Sequence, residues 1–374
     1  MRSALVLAAA AALTATVVVT PAASASVRIT ELPPLTGHTS ASVTGVNDAG
    51  QAVGTSRPNL GVGHAVLWNG TTGTDLGTGS GVALNRNGRV LISESTYGNG
   101  QYLQHPRTWD NGVVTDIAPG RNAYIIASAI SGSGVVPMTY SSSPYGYHQD
   151  YAGVWQDGAF SGTSVPVAGP HLTHSVVTDS GVTAGYKVPM FGTDSYAFRC
   201  SGGSCVRLAG IQGSGRYNVS AANESGVVVG NLVDGSNSQP LLWEDDSVTV
   251  LPGGQGAVAT NAQAINERGD VVGWRAGTGG HVATLWRDGA VVDLGASGTS
   301  EAVAVNDLGA VIGWQTVGGQ QRAFVWRAGV LTDLGTLPGD TASIPVAINN
   351  SGTVVGHSIP SGYNYRPVKW TVRG

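Results

Sequence analysis

Residues 301–338 read EAVAVNDLGAVIGWQTVGGQQRAFVWRAGVLTDLGTLP, and this stretch decides the fold. Apolar and polar residues alternate in four short segments, which is typical of the strands of an antiparallel meander. Between the first two segments, asparagine at position 306 can cap a turn, and glycine at 309 adopts the positive φ that other residues resist. The stretch therefore predicts one four-stranded antiparallel sheet. Its segments, a to d, are residues 302–305, 310–313, 322–326 and 330–334.

The same pattern returns eight times along the chain. Seven intervals separate the turn glycine of the first copy from that of the last, so the period is about 43 residues, which suits four strands and their turns. Sheets repeated at this period are typical of a β-propeller with one blade per repeat. The turn glycines are Gly50, Gly88, Gly134, Gly181, Gly226, Gly269, Gly309 and Gly352.

The two ends of the chain complete one blade. After Trp370 only four residues remain, so the eighth repeat has no segment d. Residues 27–37 (VRITELPPLTG) match residues 330–339 (VLTDLGTLPG), which are a segment d and its exit. We therefore predict an all-β fold, an eight-bladed β-propeller whose ring is closed by the N-terminal strand completing the last blade. A degenerate repeat among the second to fourth would instead leave seven blades.

Residues 1–25 have the features of a secretory signal peptide. Arg2 precedes an apolar run, and the small residues Ala23, Ser24 and Ala25 form a cleavage site. No second long apolar run follows. We expect residues 26–374 to form a single β-propeller domain of eight repeats that is secreted, extracellular, monomeric and not inserted in a membrane.

Charge and cysteine content narrow the function classes. Only 11% of residues are charged and the formal net charge is −4, which argues against nucleic acids and anionic membranes as partners. Cys200 and Cys205 are the only cysteines, and their spacing in an exported chain predicts a local disulfide. Closing so small a loop stabilises a fold by about 2 kcal/mol, so this disulfide would stabilise one hairpin and is not the main source of the fold's stability.

A large ring recurs in segment c of nearly every repeat. A repeated tryptophan could form stacking platforms for sugars, but a ring placed once per blade is what packing between blades requires, and we favour packing. Cys200 takes the place of the ring in the fourth repeat. The column comprises Trp68, Trp109, Trp155, Cys200, Trp243, Trp286, Trp326 and Trp370.

Three strings make the chain resemble the bacterial extracellular HAF-repeat proteins. They are GHAVLW at 63–68, QRAFVWRAGVLTDLGTLPGD at 321–340 and AINNSGTVVGHS at 347–358. The His-Ala-Phe core that names the family corresponds to His64-Ala65-Val66 and to Arg322-Ala323-Phe324. The resemblance covers about residues 27–370 and weakens in repeats two to four. It implies a secreted propeller and leaves its activity open.

No catalytic residue, metal ligand or cofactor is predicted. A nucleophile elbow and a phosphate-binding glycine loop are both missing from the sequence. His171 and His174 are three apart, but we place them in a loop, where nothing aligns them on a metal. Five acids recur at one position of segment d, which favours a structural role such as accepting hydrogen bonds from the next turn. These acids are Glu31, Asp75, Asp116, Asp293 and Asp333.

The positions that vary between repeats are candidates for binding. They flank the b-to-c loops, which share one face of a propeller. Aromatic residues cluster there and suit an extracellular glycan or a protein segment, although they could equally pack long loops together. The candidate ligand-binding residues are Tyr97, Tyr102, Tyr145, Tyr147, Tyr186, Trp274, Trp314, Tyr363 and Tyr365.

Three functions remain open on the sequence. The first is a non-catalytic module that binds a glycan or protein through this face. The second is a hydrolase or lyase acting on a polysaccharide in the central channel, which would need two carboxylates, or a carboxylate and a histidine, close to one substrate atom. The third is a structural ring, which predicts no aromatic patch on either face.

Overall fold

The computed structural model describes residues 26–98, 101–117, 125–141, 150–162, 172–188, 194–211, 215–253, 259–361 and 365–373. Within these ranges the chain forms 32 strands in eight four-stranded sheets. Seven sheets are built from four consecutive strands, and the eighth joins the last three strands to the first. All neighbouring strands pair antiparallel. The predicted eight-bladed propeller is confirmed.

We number the blades by repeat and call the strands of each blade a to d. Blade 1 contains β2 (Ser40–Val46), β3 (Ala52–Arg57), β4 (His64–Asn69) and β5 (Thr72–Thr78). Blade 2 contains β6 (Ser80–Leu84), β7 (Val90–Gly98), β8 (Gln101–Asp110) and β9 (Val113–Asp116). Blade 3 contains β10 (Ile125–Ala127), β11 (Val136–Ser141), β12 (Asp150–Gln156) and β13 (Ala159–Gly162). Blade 4 contains β14 (Leu172–Val177), β15 (Thr183–Lys187), β16 (Tyr196–Ser201) and β17 (Ser204–Arg207).

The second half of the ring follows the same plan. Blade 5 contains β18 (Arg216–Ala222), β19 (Val228–Asp234), β20 (Asn237–Glu244) and β21 (Ser247–Val250). Blade 6 contains β22 (Thr260–Ile265), β23 (Val271–Gly277), β24 (Gly280–Arg287) and β25 (Ala290–Asp293). Blade 7 contains β26 (Ser300–Val305), β27 (Val311–Val317), β28 (Gln320–Arg327) and β29 (Val330–Asp333). Blade 8 contains β30 (Ala342–Ile348), β31 (Thr353–Ile359), β32 (Arg366–Arg373) and β1 (Ser26–Glu31).

The ring closes through the first strand. β1 pairs antiparallel with β32 along its whole length, from Ser26 opposite Arg373 to Glu31 opposite Val368. The N–H of Leu32 then donates to the carbonyl oxygen of Pro367 at 2.8 Å, which extends the seam by one residue. Because β1 covers β32, blade 8 has strand d from the opposite end of the chain, as the sequence predicts.

The two faces of the propeller differ in which connections they carry. The first strands of neighbouring blades contact one another, so strand a of each blade lies next to the central channel. Exposed valines in strand d, such as Val113, Val250 and Val330, fit its position at the outer edge. We call the end with the b-to-c loops and the d-to-a connections the upper face, and the end with the a-to-b and c-to-d turns the lower face.

The a-to-b turns explain the most regular feature of the sequence. All eight turn glycines have φ between +75° and +88°, a region that strains other residues. In blade 7 the side-chain oxygen of Asn306 accepts the N–H of Ala310 at 2.9 Å, which caps the turn. Asn47, Asn223 and Asn349 cap their own turns in the same way.

A bulge in strand a explains the glycine in strand b. In blade 7 the register shifts between Ala302 and Ala304, and a side chain at Gly313 would collide with the backbone carbonyl of Glu301. Blade 2 has Ile92 at this position, opposite Gly81 in strand a. A side chain at Gly81 would collide with the backbone carbonyl of Gly54, so this glycine permits the close approach of blade 2 to blade 1.

The tryptophan column packs between blades, as we favoured. Most of its rings are fully buried, and Trp370 belongs to a cluster that joins blades 7 and 8. Burying such rings supplies much of the apolar area that stabilises the fold. Three rings also donate through Nε1 to a carbonyl oxygen that follows strand d of the preceding blade: Trp68 to Pro33, Trp243 to Ala209 and Trp286 to Pro252.

The predicted disulfide is present. Cys200 in β16 stands directly opposite Cys205 in β17, and the two are bonded. Cys200 is buried, like the tryptophans whose position it takes. In the described part of the chain, no helix is long and apolar enough to cross a bilayer.

Candidate functional site

The residue after the strand b glycine position faces the next blade in several repeats. Asn231 of blade 5 is fully buried, and its amide donates to the carbonyl oxygen of Ala262 in blade 6 and accepts the N–H of the same residue. His357 of blade 8 accepts the N–H of Val43 in blade 1 through Nε2, at 3.2 Å. This column, which we expected to surround the upper face, thus also ties neighbouring blades together.

Blades 6 and 7 place tryptophan in this column. Trp274 is half-buried, and its ring stacks on His281 with 3.6 Å between centroids and 7° between planes. His281 in turn contacts Glu301 of blade 7 through Nδ1, at 2.6 Å. Trp314 is half-buried at the matching place in blade 7. Each tryptophan is the fourth of seven residues in its strand, and both rings keep part of their surface in solvent on adjacent blades.

A third ring continues this series in blade 8. Tyr365, just before β32, is 48% exposed and lies edge-on to His357, with 5.7 Å between centroids and 70° between planes. Trp274, Trp314 and Tyr365 thus stand on three consecutive blades at the upper face. We call these three residues the aromatic arc.

Two arginines beside the aromatic arc are paired with acids. Arg322 contacts Asp333 at 3.1 Å, and Arg366 contacts Glu31 at 2.6 Å. The hydrogen bond to Glu31 raises the pKa of Arg366 above its ordinary value, so the guanidinium stays charged. With His281 held by Glu301, the arc combines partly exposed rings with paired polar groups, which suits a polar ligand.

The remaining candidate ligand-binding residues lie outside the aromatic arc. Tyr186 is half-buried and packs against the cluster between blades 4 and 5 that contains Tyr217. Tyr97 and Tyr102 are register partners in β7 and β8, so this segment, which we expected to be a loop, is an extension of the hairpin. Tyr145, Tyr147 and Tyr363 lie outside the described residues.

The recurrent acids of segment d have the structural role that the sequence favours. The carboxylate oxygens of Asp75, Asp293 and Asp333 each accept the N–H of the glycine two residues later, at 2.7–2.8 Å. Glu31 pairs with Arg366. These acids are therefore occupied by local hydrogen bonds and ion pairs.

Carboxylates at the lower face link the blades around the channel. Glu224 accepts the N–H groups of Asp179 and Ser180, and Glu267 accepts the N–H of Glu224. Burial, reinforced by the charges of Asp307 and Glu224, raises the pKa of Glu267 above its ordinary value, although the N–H of Glu224 opposes this. The acids nearest the channel thus bind backbone groups of adjacent blades.

Sequence reasoning missed two features of the histidines. His174 lies in β14 and is buried with Nε2 2.7 Å from Thr183 Oγ1, so its predicted place in a loop is wrong. His281 contacts Trp274, a contact that no repeat signal could reveal because no other copy has both rings. In the part of the chain that the structure describes, no group of three or more His, Cys, Asp or Glu is arranged to hold a metal.

Comparisons with known proteins show the fold. No family model matches the chain, and no curated protein is similar to it. The β-propeller domain of the Trilobed protease from Pyrococcus furiosus aligns at a TM-score of 0.55 and 9% identity, covering 80% of this chain and 99% of that one. Acylaminoacyl peptidase from Pyrococcus horikoshii aligns at 0.52 and 10% identity, covering 86% and 58%. Dipeptidyl peptidase 4 from Porphyromonas gingivalis aligns at 0.50 and 10% identity, covering 88% and 67%.

These similarities extend to architecture and stop there. The Trilobed protease propeller is described as having an open velcro topology, whereas β1 closes the ring on β32 in this chain. At identities near 10% the likeness carries no activity across. By fold, the chain is a β-propeller of eight four-stranded blades with propeller domains of peptidases among its structural neighbours.

Proposed function

We propose that this protein is a secreted, non-catalytic binding module that recognises a neutral extracellular glycan through its upper face. The observation that carries the proposal is the aromatic arc, in which Trp274, Trp314 and Tyr365 expose ring surface on three consecutive blades. Sugar rings present apolar C–H faces that pack on aromatic rings, while their hydroxyl groups need polar partners nearby.

The polar surroundings of the arc support a neutral ligand. Arg322 and Arg366 are each held by a carboxylate, so their remaining N–H groups can donate to hydroxyl groups without presenting an unpaired charge. A structural ring would need no exposed rings on either face. The arc therefore favours recognition over a purely structural role.

The proposed setting follows from the N-terminal segment and the repeat strings. The signal-peptide features of residues 1–25 support export, and the HAF-like strings support a place among bacterial extracellular HAF-repeat proteins. We propose a monomer for which the upper face is free.

The test is binding of the mature chain, residues 26–374, to an array of bacterial and plant polysaccharides, with product analysis of each hit. We expect binding without cleavage, and at least about tenfold weaker binding after Trp314→Ala, because truncating a central ring in an interface removes a large share of its energy. Leu60→Ala is the matched control, since Leu60 is 88% exposed on the upper-face loop of blade 1, outside the arc.

Three outcomes would contradict the proposal. Binding to no polysaccharide would remove the glycan as ligand and favour a protein partner. Release of cleavage products would overturn the non-catalytic assignment. Equal affinity of the wild type and Trp314→Ala would place recognition elsewhere on the molecule.

A further inference from the structure

Two histidines meet at the upper face of blade 1. His38 lies in the connection between β1 and β2, and His64 is the first residue of β4. Their ring centroids are 5.1 Å apart and the planes are nearly perpendicular, at 89°. Both are half-buried, so each ring is reachable from solvent.

Each imidazole is anchored through Nδ1. His64 Nδ1 lies 2.9 Å from Asp75 Oδ2, and His38 Nδ1 lies 3.0 Å from Ser56 Oγ. Ser56 is fully buried and also accepts the N–H of Leu35, so its position is fixed. Metal-binding histidines commonly show this arrangement, in which a carboxylate or another acceptor holds one nitrogen while the other binds the metal.

The carboxylate that holds His64 also accepts the N–H of Gly77 through Oδ1, at 2.8 Å. A carboxylate acceptor at Nδ1 fixes the orientation of the ring and favours the tautomer that leaves Nε2 of His64 as a lone-pair donor. Ser56 Oγ has two lone pairs, so it can accept a hydrogen bond from the Nδ1–H of His38 in addition to the one from the Leu35 N–H.

Blade 8 provides an internal comparison. There the same four positions carry Ser358, Asp340, Arg366 and Glu31. Ser358 Oγ accepts the N–H of Leu337 and donates to Asp340, and Arg366 contacts both Asp340, at 3.4 Å, and Glu31. In blade 8 the central pair is thus an aspartate and an arginine that neutralise each other.

The comparison shows which of these four residues the fold requires. The serine that accepts a backbone N–H and the acid in strand d are common to both blades and serve the fold. The central pair changes from opposite charges in blade 8 to two imidazoles in blade 1, so the fold does not require histidine at either place.

We propose that His38 and His64 form a two-imidazole binding site for a divalent transition metal. Two imidazoles that share one metal in tetrahedral geometry, with metal–nitrogen distances near 2.1 Å, have centroids about 5 Å apart, which is the separation found here. Imidazole suits Cu²⁺, Ni²⁺ and Zn²⁺, and Cu²⁺ binds tightest of these in sites of this kind. The other coordination positions face solvent at the upper face.

The site is tested by titrating the tag-free mature protein calorimetrically with CuCl₂, NiCl₂ or ZnCl₂ alone. We expect one metal per chain, with Cu²⁺ binding most tightly. The decisive variant is H38D/H64R, which gives blade 1 the aspartate–arginine pair of blade 8. It therefore preserves the packing while removing both imidazoles. Its metal affinity should fall at least about tenfold.

A matched control distinguishes this site from ordinary surface histidines. His105 occupies the place of His64 in blade 2, where it contacts Thr96. No second histidine ring packs on it in the described part of the chain. H105Q should bind metal like the wild type, and H64Q should lose affinity like the double variant. Equal affinity of wild type and H38D/H64R, or an equal loss in H105Q, would overturn the proposal. No glycan enters this experiment, so its result is independent of the proposed function.

Discussion

At the scale of single residues, His357 forms a hydrogen bond between blades 8 and 1, where the ring closes. Its Nε2 accepts the N–H of Val43 in blade 1, which requires an unprotonated nitrogen. Burial lowers the pKa of His357 to about 4, and burial also lowers the pKa of His174 to about 4. Both histidines are therefore neutral in the folded protein at pH 7.

The stability of the protein should consequently fall in acid. Between about pH 6.5 and pH 4 the unfolded chain binds protons at these histidines that the folded chain does not, so the free energy of unfolding rises with pH across this window. Each histidine contributes on the order of 3 kcal/mol above the window, and this contribution is lost as the pH falls to 4.

Urea titrations of the wild type and His357→Gln from pH 4 to pH 8 would measure this effect. Glutamine can still accept the Val43 N–H but does not titrate, so the variant should lose less stability toward pH 4 than the wild type. Above pH 7 the two proteins should show the same slope. Parallel curves across the whole range would mean that His357 is not held neutral by the fold.

At the scale of elements, the a-to-b turn does two tasks with one residue. The oxygen of Asn306 caps its own turn, and its Nδ2 donates to the carbonyl oxygen of Asn349 in the next blade at 2.9 Å. The same donation links Asn349 to Asn47 across the seam at 2.8 Å. The turn residue therefore connects the local hairpin with the closure of the ring.

Asn306→Ala should destabilise the protein by about 2–3 kcal/mol, because it removes the cap and leaves the buried carbonyl of Asn349 unpaired. Asn306→Ser keeps a neutral acceptor, as Ser131 does in blade 3, and loses the donor to Asn349, so its loss should be smaller. Leu308→Ala is the control in the same turn, where the side chain is 72% exposed and a change within about 0.5 kcal/mol is expected. The denaturant midpoints of the three variants measure these changes in the free energy of unfolding. An Asn306→Ala variant as stable as the wild type would contradict the proposed roles of Asn306 as turn cap and as donor to the next blade.

Sequence periodicity predicted the elements well where they repeat. The Asn-x-x-Gly turns, the strand b glycines and the tryptophan column each follow from a constraint that most blades share, so the repeated copies reveal it. The candidate site was less predictable, because its features occur once. The stack of Trp274 on His281 and the meeting of His38 with His64 depend on contacts between segments that no repeat brings into register.

The variable column illustrates the same limit. Sequence position placed it at the upper face, but only the structure shows that Asn231 and His357 point into the next blade while Trp274 keeps part of its ring exposed. Which side chain is buried there depends on the backbone of the neighbouring blade. The repeat pattern of a single blade does not contain that information.

At the scale of the whole molecule, closure depends on β1. It pairs along its whole length with β32, and Val27 and Ile29 pack against the cluster that joins blades 7 and 8. A chain that begins after Glu31 should expose the edge of β32, lose at least about 10 °C of melting temperature and associate through the open edge. Thermal unfolding and size-exclusion chromatography would measure both effects.

Glu31→Gln is the control for this truncation. It weakens only the ion pair with the partly exposed Arg366, so it should cost no more than about 1 kcal/mol and leave the protein monomeric. A truncated chain that melts like the wild type would show that the ring does not rely on its first strand.

The upper face is the central claim, and a comparison of the two faces tests it most directly. The measurement is the affinity for a polysaccharide identified on the array, in W274A/W314A at the upper face and in E224Q/E267Q at the lower face. We predict at least about a tenfold loss in the upper-face variant and no change in the lower-face variant. Loss of binding only in the lower-face variant, or unchanged binding in both, would contradict the account.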